Sequence, residues 1–491
     1  MNPAPARREN DAGLQSGFTD GLPRISPGPA GVDAGAVRAF VQDVAAAGLD
    51  LHSFMLSRAG RVVAETWWWP CRAERPHLMH SLTKSFTACG IGLAVAEGRL
   101  ACGDRVISFF PEFRPPAVDP WLAAMTVEDL LTMRVGHAEE TSGASWRGIA
   151  TSWVAEFFKI PLAHPPGTAF VYTSAASYML SAILTKLTGE TLHDYLRPRL
   201  FEPLGIVGEQ WDIGPDGINP GGNGLTCKTA DILKLGILHS QGGCWNGRQI
   251  LPADWVAAAT RPHANDYGYH WVTSPRGDYR AVGLFAQLAM VFPAQDAVLA
   301  VTAGIDGSAR LLPIICRHFP AAFKAAPLDN PAADAALVEK LAEAARPKLP
   351  AGTSSPLPAT ISGWTYRVAP NPQDVTALQF DFNDDRCTFR LTDAEGDHAI
   401  VMGFTAAVES RVSLPGHDLH HGYRLKDALV AASVRWRDSR TLEMTWIFAE
   451  TAFRDTITCR FDAGRVTLDR AVNVNSGALS QPTLTGNLGT N

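Results

Sequence analysis

The sequence predicts a two-part fold: an α/β domain whose sheet is drawn from both of its ends, then an all-β domain, either a sandwich or a barrel. Three observations carry this. A chain of 491 residues is too long for one ordinary domain. A strand-like pair, a long helical stretch, three strand-like runs and a closing helix follow one another in the first two-thirds, as in an α/β layer. Beyond residue 358 the apolar period changes to two.

Taken in order, residues 1–32 are polar and rich in Pro and Gly and are expected to be disordered or loosely packed. The domain runs over 33–325. "DAGAVRAFVQDVAAAG" puts Val37, Phe40, Val41 and Val44 on one helical face, and "LHSFMLSRAGRVVAETWWW" reads as a hairpin turning at Ala59 and Gly60. "HSLTKSFT" (80–87) opens a helix, and "TVEDLLTMRVGH", "SWVAEFFKI", "SAASYMLSAILTKLTGE", "TADILKLGILHSQGG" and "ADWVAAATR" follow as helices. "YGYHWV", "YRAVGLFAQLAMVF" and "AVLAVTAG" are read as three strands, closed by the helix "ARLLPIICRHF". An Ala/Pro-rich linker with one helix is expected over 326–358, an antiparallel β domain over 359–478 and a tail over 479–491.

Composition narrows the function. Apolar residues at 46% suit a large core, and a net charge of −6 without a basic cluster argues against a nucleic-acid partner. No run reaches the roughly 18 apolar residues of a membrane span, so no membrane partner is expected. The eight cysteines form no C-x-x-C pair, and the N-terminal stretch has no export-type apolar core. Reduced thiols in a cytoplasmic protein are the expectation, with homo-oligomerisation left open.

The candidate chemistry begins at Ser81. Of nine lysines, only Lys84 has a serine three residues before it. On a helix those positions share a face, so the amine can approach the hydroxyl; a Ser at the helix start also lies beside the N–H groups of the first turn. An N-cap serine beside a solvated lysine is the other reading of that segment. "PPGTAFVYTSAAS" places Tyr172 and Ser174 before a helix, and a phenol near a lysine can relay protons. Gly283 in "AVGLFAQ" (281–287) permits close approach of a ligand to a strand.

In this order, "SLTK", "YTS" and "AVGLFAQ", with the surrounding "HLMHSLTKSFT" and "GLTCKTADILKLGILHSQGGCWNGRQILPADWV", resemble the class C β-lactamase-like serine hydrolases. That superfamily includes penicillin-binding proteins, D-aminopeptidases, esterases and 6-aminohexanoate-dimer hydrolases. The resemblance implies a β-lactamase/transpeptidase-like domain, with an antiparallel sheet, helices on both sides and a helical subdomain. It implies Ser81 as acylated nucleophile, Lys84 as general base and Tyr172 as proton relay. Ser174 would support them, and the backbone N–H groups of Ser81 and Leu284, beside Gly283, would form the oxyanion hole. The substrate would be a small ester, amide or lactam; no metal and no other cofactor is required.

The sequence departs from the family where a lysine or histidine often precedes Gly on that strand: Ala281 and Val282 stand there, with Arg280 the nearest cation. Such a site suits an ester or amide with an uncharged acid part, unless Arg280 or Arg134 substitutes. Ala286 replaces a frequent glycine. Trp146, Tyr267 and Tyr269 are candidate substrate contacts with Arg280. "GHDLHHGY" (416–423) is read as a polar loop of the β domain packed on the hydrolase domain rather than a zinc site. The competing functions are β-lactamase, D-amino-acid peptidase or acyl transferase on the same site, a zinc hydrolase using that loop, and a catalytically weak binding protein that keeps the fold.

Overall fold

The computed structural model describes residues 19–114 and 117–489. Strands β1 (Leu51–Arg58), β2 (Arg61–Trp67), β3 (Val272–Thr273), β4 (Tyr279–Gly283), β5 (Gln287–Phe292) and β6 (Ala297–Ala303) form one antiparallel sheet in the order β2-β1-β6-β5-β4-β3. The sheet therefore joins the two ends of the domain, as expected.

Strands β5 and β6 are buried along their whole length because both faces are covered. Leu288, Met290 and Phe292 point to one core, shared with α1 (Ala34–Ala46). Ala289 and Val291 point to the other, shared with α2 (Thr83–Ala96), α3 (Ser174–Thr188) and α4 (Thr229–Ser240). Small residues let α4 lie close: a Cβ on Gly236 would come within 2.5 Å of Val298. Helices α5 (Leu312–His318) and α6 (Pro331–Ala344) join α1 on its side.

Four local expectations change. Residues 1–18 lie outside the described residues, but from Asp20 onward the N-terminal segment is tied down: Arg24 pairs with Asp20 (2.5 Å) and Glu65 (2.9 Å), and Ile25 N–H donates to Val62 O. The linker helix is α6, which buries Leu337 and Leu341 in the core of the first domain; their i,i+4 spacing makes one apolar stripe. "YRAVGLFAQLAMVF" is not one strand but the hairpin β4–β5, in which Gly283 faces Gln287. Its turn, Leu284-Phe285-Ala286, has φ of +62° at Phe285 and +69° at Ala286, which costs roughly 1–2 kcal/mol per non-Gly residue and carries no turn signature in the sequence. The fourth change is at the C-terminus, where the expected tail contains a strand.

The second domain is a closed barrel. Its strands are β7 (Thr365–Val368), β8 (Ala377–Asn383), β9 (Arg386–Asp393), β10 (Gly396–Gly403), β11 (Val408–Val412), β12 (Ala428–Trp436), β13 (Thr441–Phe448), β14 (Arg454–Asp462), β15 (Arg465–Val472) and β16 (Leu484–Leu488). They pair in the order β10-β9-β8-β7-β16-β15-β14-β13-β12-β11, and a Gly403–Ser433 bridge between β10 and β12 closes the ring. Strict alternation fills the interior, with Leu442, Met444, Trp446 and Phe448 inward from β13. The strand β16, in the segment expected to be a tail, fills the place between β7 and β15; Gly486 there lets Tyr366 pack at 2.9 Å from where a Cβ would stand.

The barrel docks beside the start of α2. Leu78 N–H donates to Glu450 O (2.9 Å), Asn473 donates to Gly304 O (3.2 Å), and Arg454 pairs with Asp50 (2.8 Å). Leu78 and Phe285 belong to the barrel's apolar core although they come from the first domain.

Candidate active site

Ser81 sits in a single 3-10 turn (His80–Leu82) that runs into α2. His80 before it has φ +48°, so the chain enters the helix through a left-handed residue and turns the serine toward a cavity of about 630 Å³. Lys84 is 1% exposed and points back along the same helix face. Its Nζ lies 3.0 Å from Ser81 Oγ, 2.9 Å from Ser174 Oγ and 2.9 Å from Gly222 O, three hydrogen-bond partners around one amine nitrogen. The Tyr172 ring lies 4.8 Å from Nζ.

Each partner is fixed by its element. Ser174 is the first residue of α3, where Thr173 caps the helix by accepting from Ala175 N–H (3.3 Å). Gly222 can present its carbonyl because it is a glycine: a Cβ would meet Ser174 Cβ at 3.0 Å. Opposite them, Gly283 lies against the nucleophile turn, where a Cβ would fall 2.1 Å from Met79 O. Gln287 is fully buried and donates to Leu284 O (3.1 Å) and Ala303 O (2.9 Å), so the turn carrying Leu284 is locked to β6.

The structure thus brings together Ser81, Lys84, Tyr172, Ser174, Gly283 and Leu284 and adds Tyr267, whose ring meets Tyr172 edge-on at 6.1 Å. Three expected contacts are elsewhere. Trp146 packs on Trp153 and Tyr178 and lines an adjoining recess of about 460 Å³ that shares Glu140, Ser142 and Ser145 with the Ser81 cavity. Tyr269 is buried and donates to Glu128 (3.0 Å). Arg280 lies outside the cavity lining, where burial lowers its pKa and Asp278 opposes that. Arg134 is spent on Thr132 (3.0 Å) and Gly167 O (3.1 Å).

The cavity wall also contains residues that sequence reasoning missed, Arg147, Asn223, His270, Ser308 and Ser476, together with His421 from the "GHDLHHGY" loop, which was expected to pack on the hydrolase domain but not to line the site. The run "NPGGNG" (219–224) was the available signal for the Gly222–Asn223 segment. His421 comes from the barrel, has φ +52° and shares a hydrogen bond with Ser476 (2.5 Å). Burial, then the nearby Arg147, pushes its pKa down to about 4, so its imidazole is neutral. Burial, then Lys84, takes His270 to about 3. His420, next along the loop, turns into the barrel to Asp455 (2.9 Å), so the neighbouring histidines face different partners.

A fold of this kind around a helix-borne Ser–Lys pair defines a class, and comparison with known proteins agrees with it. The beta-lactamase family model matches residues 34–312, and the chain belongs to that family of serine hydrolases. The barrel lies beyond the match. Among individual proteins, the chain is 24% identical over 280 residues to the 6-aminohexanoate-dimer hydrolase of Paenarthrobacter ureafaciens, a match that spans 50% of this chain and 71% of that one. It is 30% identical over 153 residues to a lovastatin esterase of Penicillium rubens (27% of this chain, 38% of that one). It is 28% identical over 201 residues to a D-aminopeptidase of Cereibacter sphaeroides (38% and 34%). A solved Bacillus anthracis structure, assigned as a 6-aminohexanoate-dimer hydrolase, shares the fold at TM-score 0.51 and 18% identity, over 61% of this chain and 86% of that one.

Proposed function

We propose that this protein is a serine hydrolase that acts on a small ester or amide through an acyl-enzyme at Ser81. The observation that carries the reading is the 3.0 Å contact between Lys84 Nζ and Ser81 Oγ inside a cavity large enough for a small substrate. In the first half-reaction Ser81 Oγ attacks the substrate carbonyl and its proton passes to Lys84. The Ser81 and Leu284 N–H groups receive the oxyanion. The proton then moves through Tyr172, with Ser174 as support, to the leaving alcohol or amine as the C–O or C–N bond breaks. In the second half-reaction water adds to the acyl carbon, its proton follows the reverse path, and the acid leaves as Ser81 regains its hydrogen.

No helix of the described residues is long and apolar enough to cross a membrane. The eight cysteines are all free thiols, which supports a reducing, cytoplasmic setting.

The test is intact-mass detection of an adduct with a fluorophosphonate probe, together with turnover of p-nitrophenyl esters and nitrocefin. Labelling of wild type and none of Ser81→Ala, with ester turnover and no nitrocefin turnover, is the expected result. Equal labelling of both would remove the nucleophile from Ser81. Rapid nitrocefin turnover would reassign the enzyme to lactams.

A further inference from the structure

The cavity contains a guanidinium that is positioned but not neutralised. Arg147 extends from a short 3-10 turn (Ser145–Gly148) into the wall shared by the two domains. Its Nη1 donates to His421 O (2.6 Å), its Nη2 to Asn223 Oδ1 (3.5 Å), and its plane lies 3.7 Å from the centre of the Tyr423 ring. Those contacts fix its direction and contribute no negative charge beyond partial carbonyl dipoles and the ring face.

Among the described residues no carboxylate forms an ion pair with Arg147. Glu140, the carboxylate on the cavity lining, is exposed and makes no such contact. Asp212 feels the charge from further off; burial raises its pKa and Arg147 opposes the rise. His421 and His270, which also line the cavity, are neutral. A half-buried, rigidly held cation without a counter-ion is costly to a fold unless something else completes it. Its open side faces the cavity that Ser81 faces.

We infer that Arg147 is a carboxylate-binding subsite, and that the preferred substrate is an ester or amide carrying an anionic carboxylate. The inference rests on Ser81 as the nucleophile of the same cavity. It replaces the expectation of an uncharged acid part: the two positions before Gly283 are apolar and Arg280 on the same strand is off the cavity lining, while the helical subdomain supplies a cation that the barrel holds in place. A planar guanidinium donating two parallel hydrogen bonds matches a carboxylate in geometry as well as charge.

The test compares matched neutral and anionic esters. One pair carries the charge on the acyl side, p-nitrophenyl pentanoate against mono-p-nitrophenyl glutarate. The other carries it on the leaving group, methyl 4-(butyryloxy)benzoate against 4-(butyryloxy)benzoate. Wild type should favour the anionic member of at least one pair by about tenfold or more in kcat/KM. That ratio should shrink as salt rises. Arg147→Gln should bring it to about one, chiefly through KM, with the neutral ester much less affected, and Arg147→Lys should keep part of it. Equal loss on both members in Arg147→Gln, or no anionic preference in wild type, would overturn the subsite. If Arg147→Gln does not fold, competitive inhibition of wild type by glutarate, weakened by salt, supports the subsite and its absence overturns it. Should no ester turn over in a Ser81-dependent way, the hydrolase reading fails by itself. Calorimetric binding of monomethyl glutarate to wild type, lost in Arg147→Gln, would then still decide for the subsite, and equal or no binding against it.

Discussion

Ser81 and Arg147 face one cavity and are held in opposite ways. Ser81 is set by its own helix: the residue that contacts its hydroxyl is three positions along, and rotation about a few side-chain bonds is all that the contact requires. Arg147 is held from a distance, by Asn223 in the first domain and by His421 and Tyr423 in the barrel, the His421 contact spanning 274 residues of sequence. The loop bearing His421 is in turn fastened from behind. Asp455, fully buried, accepts from Arg470 (2.8 and 2.5 Å) and pairs with His420 (2.9 Å), and Arg470 also reaches Pro415 O (2.6 Å). One side of the site is therefore a local device, and the other depends on two domains being folded and docked.

Removing Asp455 is the severest way to break that contrast. Burial alone would raise its pKa, but Arg470 and His420 outweigh burial and hold the carboxyl below its ordinary value. Asp455→Ala leaves Arg470 charged and buried without a counter-charge, a loss of about 3–5 kcal/mol in stability. Guanidinium unfolding followed by tryptophan fluorescence reads it; a loss under about 1 kcal/mol would mean the loop is held by other contacts. The charge preference assigned to Arg147 should fall with it while Ser81 still labels.

Gly283→Ala attacks the other side. Its Cβ would overlap Met79 O, two residues before Ser81, and must push β4 and the turn bearing Leu284 away from the nucleophile. A fall of about 10²–10³ in kcat is expected, the usual cost of one oxyanion donor, on neutral and anionic esters alike. Unchanged kcat with a normal fold would remove Leu284 from the oxyanion hole.

The same contrast explains what was legible in the sequence. The Ser81–Lys84 pair, Tyr172 and Gly283 are short motifs, and their elements lie where periodicity and order put them. The β4–β5 turn was hidden because Phe285 and Ala286 adopt left-handed backbone without being glycine or asparagine. The strand β16 was hidden because "LTGNL" (484–488) has a glycine at its centre and little apolar surface. Trp146 and Tyr269 are aromatic and lie in segments expected to flank the cleft, but each packs into the core, which is the commoner fate of a large ring. Arg147, His421 and Ser476 have no motif between them. Only the docking of the barrel makes them neighbours.

The smallest effect separates the two sides by pH. Neutral histidines stand on both: the buried His270 on the hydrolase side, with a pKa near 3, and the half-buried His421 on the barrel side, near 4, against an ordinary value of 6.5. Above pH 6.5 the imidazoles are uncharged in both the folded and unfolded chain and contribute no slope. Below it the unfolded chain takes up protons that the fold refuses, so stability falls until the pH reaches the folded values near 3–4. Each histidine contributes up to about 1.4 kcal/mol per pH unit across that window. His52 and His77, a buried pair lowered by burial to about 3, add in the same direction. Asp231, raised by burial to about 6, opposes them with one proton as the pH falls from 6 toward 3.8. Carboxylates held low, such as Asp455, weaken the fold only below 3.8, outside this range. Chemical unfolding at pH 7.5, 6.0 and 5.0 should therefore give a stability that drops steadily into acid, and a flat profile would contradict the burial of these rings. Replacing His421 by Gln should remove about one proton from that slope, and His270→Asn another. Because the two act through different walls, the reductions should add within about 0.5 kcal/mol; strong coupling would mean that the barrel wall and the hydrolase wall open as one unit.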